Sequence, residues 1–124
     1  MACHIRYASE NAKLGFPVTI ILLGKGLANE LIFSAKMISA IRAKEMGLVN
    51  EVFSLEELLP KTKELATLIS KNSPQGISKA IAAVNASDSA EGYELEIKSF
   101  GELFEMEDKK EGVSAFLEKR KPNF

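Results

Sequence analysis

Polar and apolar side chains alternate over His4-Ile5-Arg6-Tyr7-Ala8, and Val18-Thr19-Ile20-Ile21 is a β-branched run, so two short extended segments are expected near the N-terminus. Beyond Gly26 the period lengthens to that of a helix, with Leu27, Leu31 and Ile32 on one face. Ser39 is a candidate N-cap for a short helix that ends before Gly47, and residues 48–53 read as a strand or extended connector.

From Ser54 onward the pattern is helical. Ser54 and Glu57 have capping-box spacing, but Pro60 would break a helix begun there, which predicts a single turn and then a longer helix over 60–70. Leu58, Leu65, Leu68 and Ile69 give that region an apolar stripe. Ser73-Pro74 is an N-cap followed by proline at the first helical position, and Ile77, Ala80, Ile81 and Val84 keep one face through Asn85. The next helix is expected to start near Ser89, with Tyr93, Ile97, Phe100 and Phe104 at steps of four, three and four on one side, a face expected to be buried. Asp108 and Glu111 form an acidic version of the capping box for a last helix carrying Val113, Phe116 and Leu117, which Pro122 stops.

Composition narrows the class without naming a function. The 124 residues are 46% hydrophobic and 27% charged with a net charge of −1, as in a globular domain and without the overall basic field that a nucleic-acid or acidic-membrane partner would call for. The longest apolar run, Val18 to Leu23 with Thr19 inside it, falls far short of the ~20 residues of a membrane helix. A single cysteine, Cys3, forms no internal disulfide, and with no leader pattern ahead of it the expected setting is the reducing cytoplasm. One domain over residues 1–124 is the expectation.

Few residues carry chemistry on their own. Glu10 lies in a polar turn and Glu30 on an amphipathic helix, and both read as solvated carboxylates. His4 has no second ligand beside it and reads as an edge-strand histidine in preference to a base or metal ligand; Cys3, without a paired base, reads as a packed thiol. Gly24-Lys25-Gly26 lacks the spacing of a phosphate loop and reads as the turn that starts the next helix.

Three stretches carry a family pattern. MACHIRYASENAKLGFPV resembles the strand and loop in the middle of enoyl-CoA hydratases of the crotonase superfamily, LLGKGLANELIFSAKMISAIRAKEMGLVNEV resembles the segment beyond their active-site loop, and EDKKEGVSAFLEKRKPNF resembles the C-terminus of the short-chain hydratases. The resemblance covers essentially the whole chain and about the second half of a usual family member. It implies a helix-rich α/β fold, a truncated crotonase-like domain: a remnant of the β–β–α spiral over residues 1–53 and a helical C-terminal trimerisation region over 54–124.

The family reaction is hydration of trans-2-enoyl-CoA to 3-hydroxyacyl-CoA in fatty-acid metabolism. Two backbone N–H groups stabilise the thioester enolate and two glutamates activate water. The resemblance places one glutamate and the first oxyanion N–H upstream of the residues that match Met1 and Cys3. The second glutamate belongs after the proline matching Pro17, where this chain continues with Val18 and soon reaches Leu22-Leu23-Gly24; relative to the family, that carboxylate and about fifteen residues around it are deleted, and with them the general acid–base chemistry. No catalytic residue and no metal ligand is therefore assigned, and no hydratase activity is expected from these residues alone.

By residue match, Phe100 and Lys119 correspond to a phenylalanine and a lysine that contact coenzyme A in family members, often across a subunit boundary. For Phe100, core packing within the apolar stripe stands as the competing explanation; for Lys119, Arg120 and Lys121, a phosphate-binding cluster and a solvated tail stand side by side. The resemblance further implies no cofactor beyond a coenzyme A thioester as substrate or ligand, and a homo-oligomer, trimer or hexamer. Two functional classes remain at this point: an enzyme of hydratase or isomerase ancestry, and a non-catalytic oligomerisation or CoA-binding module, with a gene remnant as a third possibility.

Overall fold

Along the chain the elements are β1 (Tyr7–Ser9), β2 (Lys13–Leu14), α1 (Ile20–Ser34), β3 (Ile38–Ser39), α2 (Ala40–Glu45), β4 (Glu51–Phe53), α3 (Leu55–Ile69), α4 (Pro74–Ala86), α5 (Gly92–Glu105) and α6 (Glu107–Leu117). The structure, a computed structural model, describes residues 3–15, 20–89 and 91–124, with the side chains of 20–22 left aside. Two compact units divide the chain, Met1–Glu64 and Leu65–Phe124, and the division falls inside α3.

In the first unit β1 pairs in parallel with β4, Tyr7 opposite Glu51, Ala8 opposite Val52 and Ser9 opposite Phe53. Parallel strands need a long crossover, and the whole of α1 and α2 lies between them. β2 pairs antiparallel with β3, Lys13 opposite Ser39 and Leu14 opposite Ile38. Arg6 fastens the entry to β1: its N–H donates to Asn50 Oδ1 at 2.8 Å, its Nε to the Leu48 carbonyl at 2.7 Å, and its own carbonyl accepts from the Asn50 N–H at 2.7 Å. Ala8, Leu23, Leu31, Ile38, Ala40, Ala43, Leu48 and Val49 form the core beneath these strands.

The N-terminal expectations need two corrections. The strand starts at Tyr7, with His4 and Ile5 in an exposed bend, because the ladder begins only where Glu51 supplies a partner. Ile20 and Ile21 are helical, not extended; β-branched side chains favour a strand only where a neighbouring strand is present to pack against. Val18 and Thr19, like Phe16 and Pro17, lie outside the described residues.

Gly24 breaks α1 with φ 72 and ψ 161, a combination essentially reserved for glycine, so the reading of Gly24-Lys25-Gly26 as the turn before the helix proper is borne out. Ser39 caps α2, accepting the Arg42 N–H at 3.2 Å, and Gly47 ends it at φ 77. There the Leu48 N–H reaches the Ala43 carbonyl at 2.8 Å and the Gly47 N–H that of Lys44 at 2.9 Å, the two bonds of a Schellman motif.

α3 is one continuous helix, which overturns the expected break at Pro60. The capping box is made: Ser54 Oγ donates to Glu57 Oε2 at 2.9 Å and accepts the Glu57 N–H at 3.2 Å. Pro60 falls early enough to forfeit one bond, the one its missing N–H would have given Glu56, while the capped first turn holds its direction.

In the second unit α4 packs on α5, and α5 on α6. Ser73 caps α4 as expected, accepting the Gly76 N–H at 2.9 Å, and its hydroxyl donates to Asp108 at the start of α6. α5 starts at Gly92, three residues later than Ser89. Its aromatic stripe is not buried: Tyr93, Ile97, Phe100 and Phe104 are exposed, and the buried residues of α5 are Gly92 and Ser99, seven apart on a neighbouring face. Small side chains let the two helices approach closely, and the bulky ones are left outside.

The acidic capping box is also overturned. Met106 occupies the N-cap of α6 without a side-chain bond; Asp108 is engaged by Ser73, and Glu111 by Arg120 and the Asn123 N–H.

Candidate functional site

Lys119 sits where α6 turns back on itself. Its φ is 54, its N–H donates to the Phe116 carbonyl at 3.3 Å, and the Arg120 N–H reaches the Ala115 carbonyl at 3.0 Å, so it holds the left-handed position of a second Schellman motif, the place Gly47 holds at the end of α2. A residue with a Cβ in that conformation costs on the order of 1–2 kcal/mol.

The cluster around Lys119 is electrostatically uneven. Arg120 is bidentate with Glu111, Nη1 to Oε1 at 2.6 Å and Nη2 to Oε2 at 2.8 Å, and its Nε donates to Glu118 Oε2 at 2.6 Å. Those bonds raise the Arg120 pKa, while the Arg120 guanidinium and then the Asn123 N–H hold Glu111 down to about 2. Arg120 is thus committed to two carboxylates. Of the three cations, Lys119 and Lys121 are the ones with no ion pair among the described residues.

Phe100 lies on α5, 63% exposed, edge to face with Phe104 at 5.0 Å between ring centres. It borders a shallow depression of about 170 Å³ that Ala80 and Ala83 of α4 and Ser99 and Leu103 of α5 help to line and to which α6 contributes nothing. The fold therefore sets Phe100 on α5 and Lys119 in the turn just beyond α6. The aromatic ring in the same turn as Lys119 is Phe116, 83% exposed. Sequence reasoning passed over Phe116 because it was assigned to an apolar helix face; its spacing of three from Lys119 was the available signal.

Elsewhere two carboxylates are held by lysines. Lys44 first, then the Val52 N–H, lowers the pKa of Glu51, and Lys79 lowers that of Glu102. A general acid needs its pKa raised toward neutrality, the opposite direction. Glu10 and Glu30 are exposed, matching the solvated reading. Cys3 is exposed as well, which corrects the expected packed thiol: the core of this unit starts at Ala8 and does not extend to residue 3. Among the described residues no group of three or more acidic, His or Cys side chains is placed to hold a metal, and no helix is long and apolar enough to cross a membrane.

The fold has close counterparts. An enoyl-CoA hydratase from Bacillus anthracis, solved by crystallography, superposes with a TM-score of 0.89 at 33% identity, over 98% of this chain and 54% of its own. A "probable enoyl-CoA hydratase" of Bacillus subtilis is 44% identical over all of this chain and 55% of its own length, and the crotonyl-CoA hydratase of Syntrophomonas wolfei is 37% identical over all of it and 54%. The chain spans about half the length of the curated relatives it matches. Its alignment with the Bacillus subtilis protein runs to 142 positions against 124 residues, which leaves about 18 positions of that relative without a counterpart here. The enoyl-CoA hydratase/isomerase family model matches residues 1–124 throughout. On its sequence and on its helix-rich α/β fold, this chain belongs to the enoyl-CoA hydratase/isomerase family of the crotonase superfamily.

Proposed function

We propose that these residues are a truncated crotonase-like domain, with a spiral remnant at 1–53 and a helical region at 54–124, that takes part in binding an acyl-CoA thioester but does not by itself hydrate the enoyl double bond. Glu51, Glu102 and Glu111 are ion-paired with Lys44, Lys79 and Arg120, which lowers their pKa values and makes these three poor general acids. The observation that carries the reading is that about 18 positions of the Bacillus subtilis relative have no counterpart here, in keeping with the internal deletion the sequence led us to expect.

The loss of acid–base groups typically costs about 10²–10⁴-fold and the loss of one oxyanion donor another ~10²–10³. Purified protein mixed with crotonyl-CoA should therefore leave the absorbance of the conjugated thioester unchanged over the enzyme-free blank. Turnover clearly above the blank refutes the catalytic half of the proposal.

Thioester binding is proposed at Phe100 and Lys119, with Lys119 supplying the charge for a phosphate and no cofactor needed beyond the thioester itself. Calorimetric titration with a CoA thioester should show saturable binding that Lys119→Ala weakens about tenfold, roughly the 1.4 kcal/mol of one charge-assisted contact. This substitution is a clean probe because alanine and lysine carry the same Cβ at φ 54. Binding that is not saturable would leave the terminal helices a structural role.

The exposed side chains of α5 and α6 support a further part of the proposal, a homo-oligomer of trimeric or hexameric form: Tyr93, Ile97, Phe100, Phe116 and Leu117 are more than half exposed. Light scattering tests it, and a monomer at micromolar concentration counts against it. The exposed thiol of Cys3 accords with a reducing, cytoplasmic setting.

A further inference from the structure

Glu111 accepts, on one carboxylate, the Arg120 guanidinium and the Asn123 N–H, while the Arg120 N–H is held separately by the Ala115 carbonyl at 3.0 Å. The two Glu111 oxygens take both Nη groups of Arg120, and Oε1 also accepts the Asn123 N–H at 2.7 Å. The chain can come back to it because Lys119 adopts φ 54 and reverses direction within a single residue. The segment then lies along α6, with the Phe124 ring against Gly112: a Cβ built on that glycine would be 3.8 Å from Phe124 Cζ. Phe124 also forms one wall of a depression of about 180 Å³, otherwise bounded by Gly76 of α4, Leu103 and Phe104 of α5, and Met106. Lys109 stands over the Phe104 ring at 5.5 Å, and the Ser73–Asp108 bond closes the other side.

We propose that residues 120–124 are a detachable strap, hinged at Lys119 and latched by Glu111, whose closed state holds Phe124 against Gly112 as one wall of this apolar depression and whose open state removes that wall and bares the apolar surface behind it. The physical basis is the convergence of the bonds. Three donors depend on one half-buried side chain, so they are lost together; the Schellman bonds that end α6 involve only Ala115 and Phe116 carbonyls and survive the loss. Strap and helix are therefore separable in stability. The contact of Arg120 with Glu118 is local to the hinge and does not tie the strap to α6. This device stands apart from thioester binding and survives if that reading fails.

Amide hydrogen exchange of the intact chain, followed residue by residue by NMR, tests it in the wild type, Glu111→Gln and Phe124→Ala. The wild-type Asn123 N–H should be protected, and Glu111→Gln should reduce that protection about tenfold or more while the amides of α6 keep theirs. Phe124→Ala should retain the Asn123 protection and bind anilinonaphthalene sulfonate more strongly than the wild type. An Asn123 N–H that exchanges freely in the wild type, or equally fast with and without the Glu111 carboxylate, overturns the latch. Loss of α6 protection together with that of Asn123 overturns the separability of strap and helix, and unchanged dye binding in Phe124→Ala overturns the closure of the depression.

Discussion

Gly92→Ala should destabilise the protein although it places a better helix former in a helix. Gly92 is the first residue of α5 and is buried, and an ideal Cβ there would stand 2.1 Å from the carbonyl oxygen of Ala86 and 2.8 Å from its carbon. Carbon and carbonyl oxygen normally keep about 3.3 Å apart, so the start of α5 or the end of α4 must move by roughly 1 Å. Neither can do so freely. The Ala86 carbonyl accepts both the N–H and the hydroxyl of Ser89 at 2.9 Å, and the Gly92 N–H donates to the Ser89 carbonyl at 3.1 Å. A shift of the carbonyl strains bonds worth about 0.5–1.5 kcal/mol each, while a shift of the helix loosens its packing on α4, and overpacking of this kind costs about 1–3 kcal/mol. The gain from helix propensity is at most ~1 kcal/mol and is smaller at a terminus, so a net loss of about 1–3 kcal/mol is expected. Urea unfolding followed by far-ultraviolet circular dichroism measures it. Gly101→Ala is the internal control: on the same helix, a Cβ at residue 101 meets nothing within 4 Å, so this change should stabilise by about 0.5–1 kcal/mol. A Gly92→Ala midpoint at or above the wild type, or a Gly101→Ala protein that weakens alongside it, would refute the close-approach argument.

The two Schellman turns should respond in opposite directions: Lys119→Gly relieves a strained left-handed residue and should raise stability by about 1 kcal/mol, whereas Gly47→Ala creates the same strain and should lower it by a similar amount, both read from denaturation midpoints. Acid should act through Glu111. Its pKa falls from 4.5 to about 2 on folding, so its contribution is fully present above the unfolded value and is lost as the pH drops from about 4.5 toward 2. The advantage of the wild type over Glu111→Gln should fade across that window in acid titrations, and a difference that persists below pH 2 would contradict the assignment.

Local chemistry was legible wherever one or two neighbouring residues decide the outcome. Ser39 and Ser73 cap their helices as their types and positions imply, Gly47 ends α2, and Gly24 marks the start of the helix proper. The family was legible for a different reason: three long stretches of sequence match a pattern, and the relatives match over the same residues. The candidate carboxylates Glu10 and Glu30 were correctly left in solvent, because isolated charges on polar turns and amphipathic faces are costly to bury.

Most of what failed turned on partners distant in sequence. The stripe Tyr93, Ile97, Phe100 and Phe104 has unmistakable period, yet period identifies a face without saying what meets it, and here α5 turns Gly92 and Ser99 inward. Asp108 and Glu111 have capping spacing, but Ser73, 35 residues away from Asp108, and the returning Arg120 compete for them and win. Pro60 carries a real local penalty that a well-capped first turn outweighs. The sequence by itself determined that the chain beyond Ser54 is helical, the caps at Ser39 and Ser73, the end of α2 at Gly47, and which family the chain belongs to, since those depend on short-range backbone and capping energetics and on residue identity. Tertiary structure alone decided which faces are covered, which carboxylates are held by cations and how residues 120–124 fold back, since each depends on contacts between segments that only the folded chain brings within a few ångströms.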